Sequence, residues 1–424
     1  MGNYWNIIQN SFNYYRIYPI NRRHIIVWLT GFYLSTLFFT SCKNGNSDIK
    51  QRVGKDTIPL TKHWEMPIPQ QEIPAGLVSI SAVSCAVCHQ EIYDEWKQST
   101  HAVAFQDLQF QAEWKKDDIL TCLNCHTPLQ NQQEFIVKGL INGDYKTPVK
   151  EPNPHFDKNL QLESITCATC HVRDGSVIGA IGNTNAPHKT IKDVEFLSEN
   201  LCISCHNIID ELNPVLVCTF ETGEEWSDNW ARKSGKTCIS CHMPEIERPI
   251  FPGLENRKSH FHDFPGSGIP KFFDMEAKRL ESLEVQEGGI NKVYSAEESI
   301  DYTLKIRNSF AGHSVPTGDP ERYFLITFHL MDDQNNVIGE EEYRIGENWQ
   351  WYPVAKKLSD NNLKPLEERA YNFKYDIKRQ GALTLVVKIT NHRMSVENAK
   401  HHDILDKYPL FIEVFKKQYK IEVQ

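Results

Sequence analysis

Apolar and polar residues alternate with a period of two through the last third of the chain. Tyr302, Leu304 and Ile306 alternate with polar neighbours, and so do Phe324, Ile326, Phe328 and Leu330. The pattern returns at Tyr371, Phe373, Tyr375 and Ile377, at Leu383, Leu385, Val387 and Ile389, and in a candidate strand over 410–415. Polar clusters at 332–336 and 359–362 supply turns. Successive side chains of a strand point to opposite faces, so this alternation predicts antiparallel strands with one buried face. The expected arrangement is an all-β, sandwich-like domain over 273–424.

The amino end is patterned differently. Arg22, Arg23 and His24 precede an apolar run from Ile25 to Phe39, followed by Thr40, Ser41 and Cys42. The run is about 15 residues, short of the roughly 20 that a spanning helix needs. A basic segment, an apolar run and small residues before a cysteine have the form of a bacterial secretion signal with a lipoprotein-type cleavage site. Residues 1–42 are therefore the expected signal peptide and Cys42 the expected point of lipid attachment. An uncleaved signal-anchor helix is the alternative, and either reading exports the chain. Residues 43–75, with Gly45, Gly54, Pro59, Pro67, Pro69 and Pro74, read as a flexible tether.

Candidate chemistry is concentrated between these ends. Ten of the twelve cysteines fall in five copies of Cys-x-x-Cys-His. They are Cys85, Cys88 and His89; Cys122, Cys125 and His126; Cys167, Cys170 and His171; Cys202, Cys205 and His206; and Cys238, Cys241 and His242. This is the attachment signature of c-type haem. Two thiols add across the porphyrin vinyl groups, and the adjoining imidazole becomes the proximal iron ligand. Five covalently bound c-type haems are expected. Zinc gives no reason for a histidine after every pair. A disulfide framework belongs to small secreted chains, and a thioredoxin-type motif would occur once. Successive motif histidines are 37, 45, 35 and 36 residues apart, too unequal for a solenoid repeat. Residues 76–272 are thus expected to form a pentahaem cytochrome c domain, mostly α or irregular, with haem supplying much of its apolar interior. Cys218 reads as a small buried apolar residue.

Each iron also needs a sixth ligand or an open position. Only six methionines exist, and Met243, beside His242, cannot reach the far face of its own haem. Histidine is therefore the expected distal ligand. His313 lies between Gly312 and Pro316 in a rigid loop that could present an imidazole to a haem edge. A strand-connecting turn with a solvent-facing histidine explains that loop equally well. His329 falls on the polar side of its strand and reads as structural. His401 and His402 are either a ligand pair or a loop.

Further stretches carry a family likeness. Trp96, Ser99 and His101 follow the first motif, and Ala186, Pro187 and His188 precede the fourth. Phe220, Glu225 and Trp226 precede the fifth motif; Met243 and Pro244 follow it directly, and the run from Ser259 to Phe264 follows later. Together they resemble the multihaem cytochrome c family that includes cytochrome c-554 and hydroxylamine oxidoreductase, over roughly residues 80–265. The resemblance implies that His101, His188 and one of His260 and His262 are distal ligands to haems distant in sequence. His155, twelve residues before Cys167, is a further candidate. Related multihaem proteins with an appended β domain carry a loop similar to the one around His313.

Charge narrows the partners. The formal net charge is −9, and setting aside Arg16, Arg22 and Arg23 of the signal leaves −12 for the rest. This argues against nucleic acid and is compatible with docking to basic redox proteins. The expected function is electron transfer between redox proteins or quinol-linked cytochromes at a bacterial cell envelope, with the membrane reached through the lipid anchor. The alternative is an oxidoreductase for a small nitrogen or sulfur compound of the nitrite, hydroxylamine or tetrathionate type. That would need an open iron with acid–base groups above it. The Cys-x-x-Cys-Lys variant found at the catalytic haem of pentahaem nitrite reductases does not occur.

Overall fold

The structure, a computed structural model, describes residues 66–424 apart from 118, 214, 215 and 352, together with the short strand Thr57–Ile58. The expected signal peptide, Cys42 and most of the expected tether lie outside the described residues. The described chain belongs to one compact unit.

Strict alternation produces the large core of the carboxyl-terminal part. Strand Ser299–Asn308 turns Ile300, Tyr302, Leu304 and Ile306 inward, all fully buried, while Asp301, Lys305 and Arg307 face out. It pairs on one side with Leu283–Glu287 and on the other with Glu368–Asp376, both antiparallel. A second sheet has six strands in the order Val293–Tyr294, Phe411–Val423, Gly381–His392, Tyr323–Met331, Val337–Gln350, Lys356–Asp360. Pairing in it is antiparallel except at Val293–Tyr294, which runs parallel to Phe411–Val423. Both sheets contribute to one core, with Ile300, Leu304 and Phe373 from the first and Phe328, Leu385 and Val387 from the second.

Two strands depart from the reading of the sequence. The candidate over 410–415 continues to Val423. Strand Val337–Gln350 gave no clear alternation, because Glu340, Glu341 and Glu342 lie where one side of it is unpaired. Lys356–Asp360 pairs only with its far end. Charged residues along an open edge discourage pairing with another chain, and they hide the period.

The region before it is built from pieces too short to hold a core of their own. It is also more extended than the expected mostly α or irregular arrangement. Besides short helices it contains the ribbons Phe135–Ile141 with Pro148–Pro152, Ile208–Asn213 with Leu216–Phe220, and Glu245–Arg248 with Arg257–His260. Its apolar clusters are small, such as Phe105, Phe110, Leu120 and Leu123, or Ile80, Leu129, Leu160, Ala168 and Val172. The end of the expected tether is held rather than loose. Ile68 N–H donates to Pro128 O at 2.7 Å, Gln130 N–H donates to Ile68 O at 2.8 Å, and Gln71 exchanges hydrogen bonds with Asn131. No described helix is long and apolar enough to cross a membrane.

Candidate haem sites

All five motifs sit on one or two turns of helix. They occupy Ala82–Ala86 running into Gln90–Lys97, Leu120–Cys122 with Leu123–His126, Cys167–His171, Glu199–His206, and Cys238–His242. Side-chain caps start several of them. Ser198 Oγ accepts from Asn200 N–H, and Thr237 and Ser240 form a reciprocal capping box. Helices this short have little stability alone. Glu199–His206 and Cys238–His242 bury none of their residues against protein. They face a shared cavity of about 2630 Å³, lined by every motif cysteine and histidine except Cys122 and His126. An ordinary ligand pocket holds about 300–1,000 Å³, so this space suits several large groups rather than one.

The imidazoles lining it are paired. His101 faces His206 with ring centres 6.2 Å apart, His171 faces His262 at 6.2 Å, and His242 faces His313 at 6.3 Å. An iron gripped from both faces needs ring centres roughly 6 Å apart, from a metal–nitrogen bond of about 2 Å and about 1 Å from nitrogen to ring centre on each side. His89 and His188 are a fourth electrostatically coupled pair. Hydrogen bonding prepares the rings. His89 Nδ1–H donates to Ile250 O, His171 to Ile178 O, His242 to Pro265 O, His262 to His260 O and His313 to Ser314 O, at 2.7–3.0 Å. Donation from Nδ1 leaves the Nε2 lone pair for a metal. Burial, aided by His206 and then His242, holds His101 down to about 3. Burial first also takes His206 and His262 to about 4. All are neutral at pH 7, the form that ligates.

His126 is different. Its Nδ1–H donates to Ala104 O at 2.8 Å, but its ring stacks on Phe110 at 3.7 Å and 12°. Among the described residues no imidazole stands opposite it. Cys125 nonetheless lines the cavity.

Particular contacts set the paired rings in place. Trp96 Nε1–H donates to Ile165 O at 2.8 Å, anchoring the helix that leads to His101. A buried ion pair of Arg248 and Glu95 fixes His262, since Glu95 Oε2 accepts from His262 N–H at 3.0 Å and Arg248 Nη2 donates to His260 O at 2.7 Å. Gly76, at φ +92°, passes so close to the His188 loop that a Cβ would lie 1.8 Å from Pro187 O. The His313 loop docks on helices Thr222–Ser227 and Trp230–Lys233. Thr317 Oγ1–H donates to Glu225 Oε2 at 2.6 Å, Asn229 Nδ2 donates to Gly312 O, and Asn308 Nδ2 donates to His313 O at 2.9 Å.

Other candidates stand apart. His155 is exposed and meets no motif imidazole among the described residues. His260 Nδ1–H donates to Met243 O at 2.6 Å, and its ring lies beside Glu245 instead of opposite a motif histidine. Of the pair His260 and His262, it is His262 that faces a motif. His329 is half-buried in its strand opposite Glu340. His401 and His402 lie beside Lys116 and Glu113 on the helix that carries Phe110. Cys218 is half-buried rather than buried and couples to Cys125. The Arg248–Glu95 pair and the Phe110 stack had no signal in the sequence, because the first joins residues 153 apart and the second depends on how two short helices pack.

Thiol contacts show which motifs are neighbours. Cys85 lies beside Cys167, Cys125 beside Cys205, and Cys202 beside Cys238. Cys170 couples to Cys205. The first and third motifs therefore adjoin, and the fourth borders the second, third and fifth.

Residues 84–172, which hold three of the five motifs, match the family described as cytochrome c554 and c-prime. A penta-heme cytochrome c552 from Thermochromatium tepidum shares the fold at a TM-score of 0.56 and 17% identity, covering 82% of this chain and 100% of that one. The CARDB domain of a Pyrococcus furiosus protein, covering 34% of this chain and 86% of its own, matches at 12% identity and a TM-score of 0.18. No curated protein sequence matches the chain. The family match supports a multihaem cytochrome c, covalently bound c-type haem and electron transfer in general.

Proposed function

We propose that this chain binds five c-type haems and passes electrons among them between redox partners at a bacterial cell envelope. The three imidazole pairs 6.2–6.3 Å apart carry the reading. On it, Cys85, Cys88, Cys122, Cys125, Cys167, Cys170, Cys202, Cys205, Cys238 and Cys241 form the thioethers, and His89, His126, His171, His206 and His242 are proximal ligands. His188, His262, His101 and His313 are the distal ligands of the first, third, fourth and fifth haems. The haem supplies the redox couple. The protein supplies Nε2 donors, carbonyl acceptors that orient the rings of His89, His126, His171, His242, His262 and His313, and an apolar enclosure. Imidazole on both faces leaves those irons no open position, which suits transfer rather than chemistry on a substrate. Neighbouring motifs give a path from the first to the third and fourth, where it branches to the second and fifth. Export through the signal, lipid attachment at Cys42 and docking to redox proteins or quinol-linked cytochromes complete the proposal.

His126 supports a second reading. With no imidazole opposite it, the haem there would have an open or weakly held position, as an oxidoreductase for nitrite, hydroxylamine or a sulfur oxyanion requires. Protein made in a haem-attaching host decides between them. Its mass should exceed the bare chain by five haems, and its ferric spectrum should be mostly low-spin. Nitrite or hydroxylamine that leaves the spectrum unchanged supports pure transfer, and turnover of either supports the enzyme. A colourless protein of bare-chain mass overturns both.

A further inference from the structure

Next to the second and fourth motifs, the cavity wall changes from apolar to cationic. Lys271, Arg322 and Arg393 all line it there. Arg322 directly precedes strand Tyr323–Met331, and Arg393 directly follows Gly381–His392, so the β-rich part delivers both. Lys271 has a carboxylate partner in Asp107. Among the described residues neither arginine has a carboxylate within 4.0 Å, although Asp319 is the leading charge favouring Arg322. Arg393 is 4% exposed, donates to Tyr408 Oη and to Ile269 O and Pro270 O at 2.9 Å, and leaves its buried Nε without a partner. Arg322 makes one long hydrogen bond, to Thr317 O at 3.4 Å, and no ion pair within 4.0 Å among the described residues. It lies close enough to His206 to couple to it electrostatically.

Charge does not balance at this place. Five donors on a guanidinium are costly to bury without acceptors, and a buried cation without an anion is costlier still. Four carboxyls lie nearby, but Glu113 is pushed up to about 8 and Glu321 to about 9, by burial first and then by Asp319, so both carry protons at neutral pH. Asp107 and Asp319 are the carboxyls left to face three cations. Lys271, held down to about 8 by burial and then Arg393, is still charged at pH 7.

We propose that Arg322 and Arg393, backed by Lys271, form a clamp for carboxylate groups at the inner end of the haem cavity. The clamp rests on the haem reading above, because the cavity is the haem enclosure. Two sources carry this chemistry. A porphyrin brings two propionates, and those of the haems at Cys125 and Cys205 would reach this wall. A free small carboxylate entering the cavity beside Cys125 is the other. Either way, the β-rich part does more than present His313. It places positive charge beside two haems, which stabilises their reduced, more negative state and raises their midpoints.

The test uses full-length protein with its haems attached, as parent, Arg322→Gln, Arg393→Gln and Arg322→Lys. Spectroelectrochemical titration follows the midpoints, with and without acetate at constant ionic strength. Lowered midpoints in both glutamine variants, with no response of the parent to acetate, identify the propionates as the occupant. A saturable acetate response in the parent, weakened at least tenfold in both variants, identifies a free carboxylate. Arg322→Lys should keep the parent midpoints. Unchanged midpoints and acetate response in glutamine variants that still carry five haems by mass would overturn the clamp. An Arg322→Lys shift as large as that of Arg322→Gln would overturn it too, by showing that charge is not the cause. Failure of the haem reading is separate, since it appears in the mass of the parent before any titration.

Discussion

At the scale of single residues, the paired imidazoles make the sharpest claims. His313→Ala is expected to convert one ferric haem from low-spin to high-spin, seen in the visible spectrum, while His155→Ala leaves the spectrum alone. An unchanged His313→Ala spectrum would reduce that loop to a turn between strands. Arg248→Ala strands Glu95 in a largely buried place, where the pair's side chains are 6% and 15% exposed. Losing one partner of a buried pair costs about 3–5 kcal/mol. The loss should appear as an earlier denaturant midpoint, accompanied by partial high-spin character at the haem of His171. Choosing His262 over His260 was beyond the sequence. The two lie two positions apart in one aromatic run, and only the ion pair that holds His262 N–H and His260 O separates them.

Elements differ in how far their own residues explain them. The β strands state their burial in their alternation, so Ser299–Asn308 and Gly381–His392 were legible. The motif helices are four to eight residues long, so their period is too short to read, and Glu199–His206 and Cys238–His242 bury none of their residues against protein. Their positions came from motif chemistry instead. The His313 loop joins the two kinds of element, and Gly312 is its closest approach. A Cβ there would lie 2.6 Å from Ala231 Cβ. Gly312→Val should lift the loop from helix Trp230–Lys233 and give the same high-spin signal as His313→Ala, with haem content by mass equal to that of the parent.

For the whole molecule, a chain ending at residue 272 is expected to lose more than a neighbouring domain. It lacks His313, Arg322 and Arg393, so it should show fewer low-spin haems than full-length protein at equal haem content. The same contact zone has a pH dependence. Burial, then Asp319, pushes the Glu113 carboxyl up to about 8. The folded protein therefore keeps a proton that the unfolded chain releases above the ordinary carboxylate value. Its contribution to stability is complete below about pH 4.5 and is lost as pH rises through 8. Glu113 retains a third of its side-chain surface, so screening makes the slope shallower than the full value of about 1.4 kcal/mol per pH unit. Denaturation of Glu113→Gln against the parent between pH 5 and 8 should show the variant with the flatter profile.

By itself the sequence determined the cofactor chemistry, because thioether attachment is local and needs only two thiols and an imidazole within one turn. It also determined the buried faces of most β strands, since a period of two is written in consecutive residues. Tertiary structure alone decided which imidazole faces which. The paired rings lie 71 to 105 residues apart, as from His242 to His313 and from His101 to His206. Nothing local distinguishes a histidine aimed across a cavity from one aimed at water.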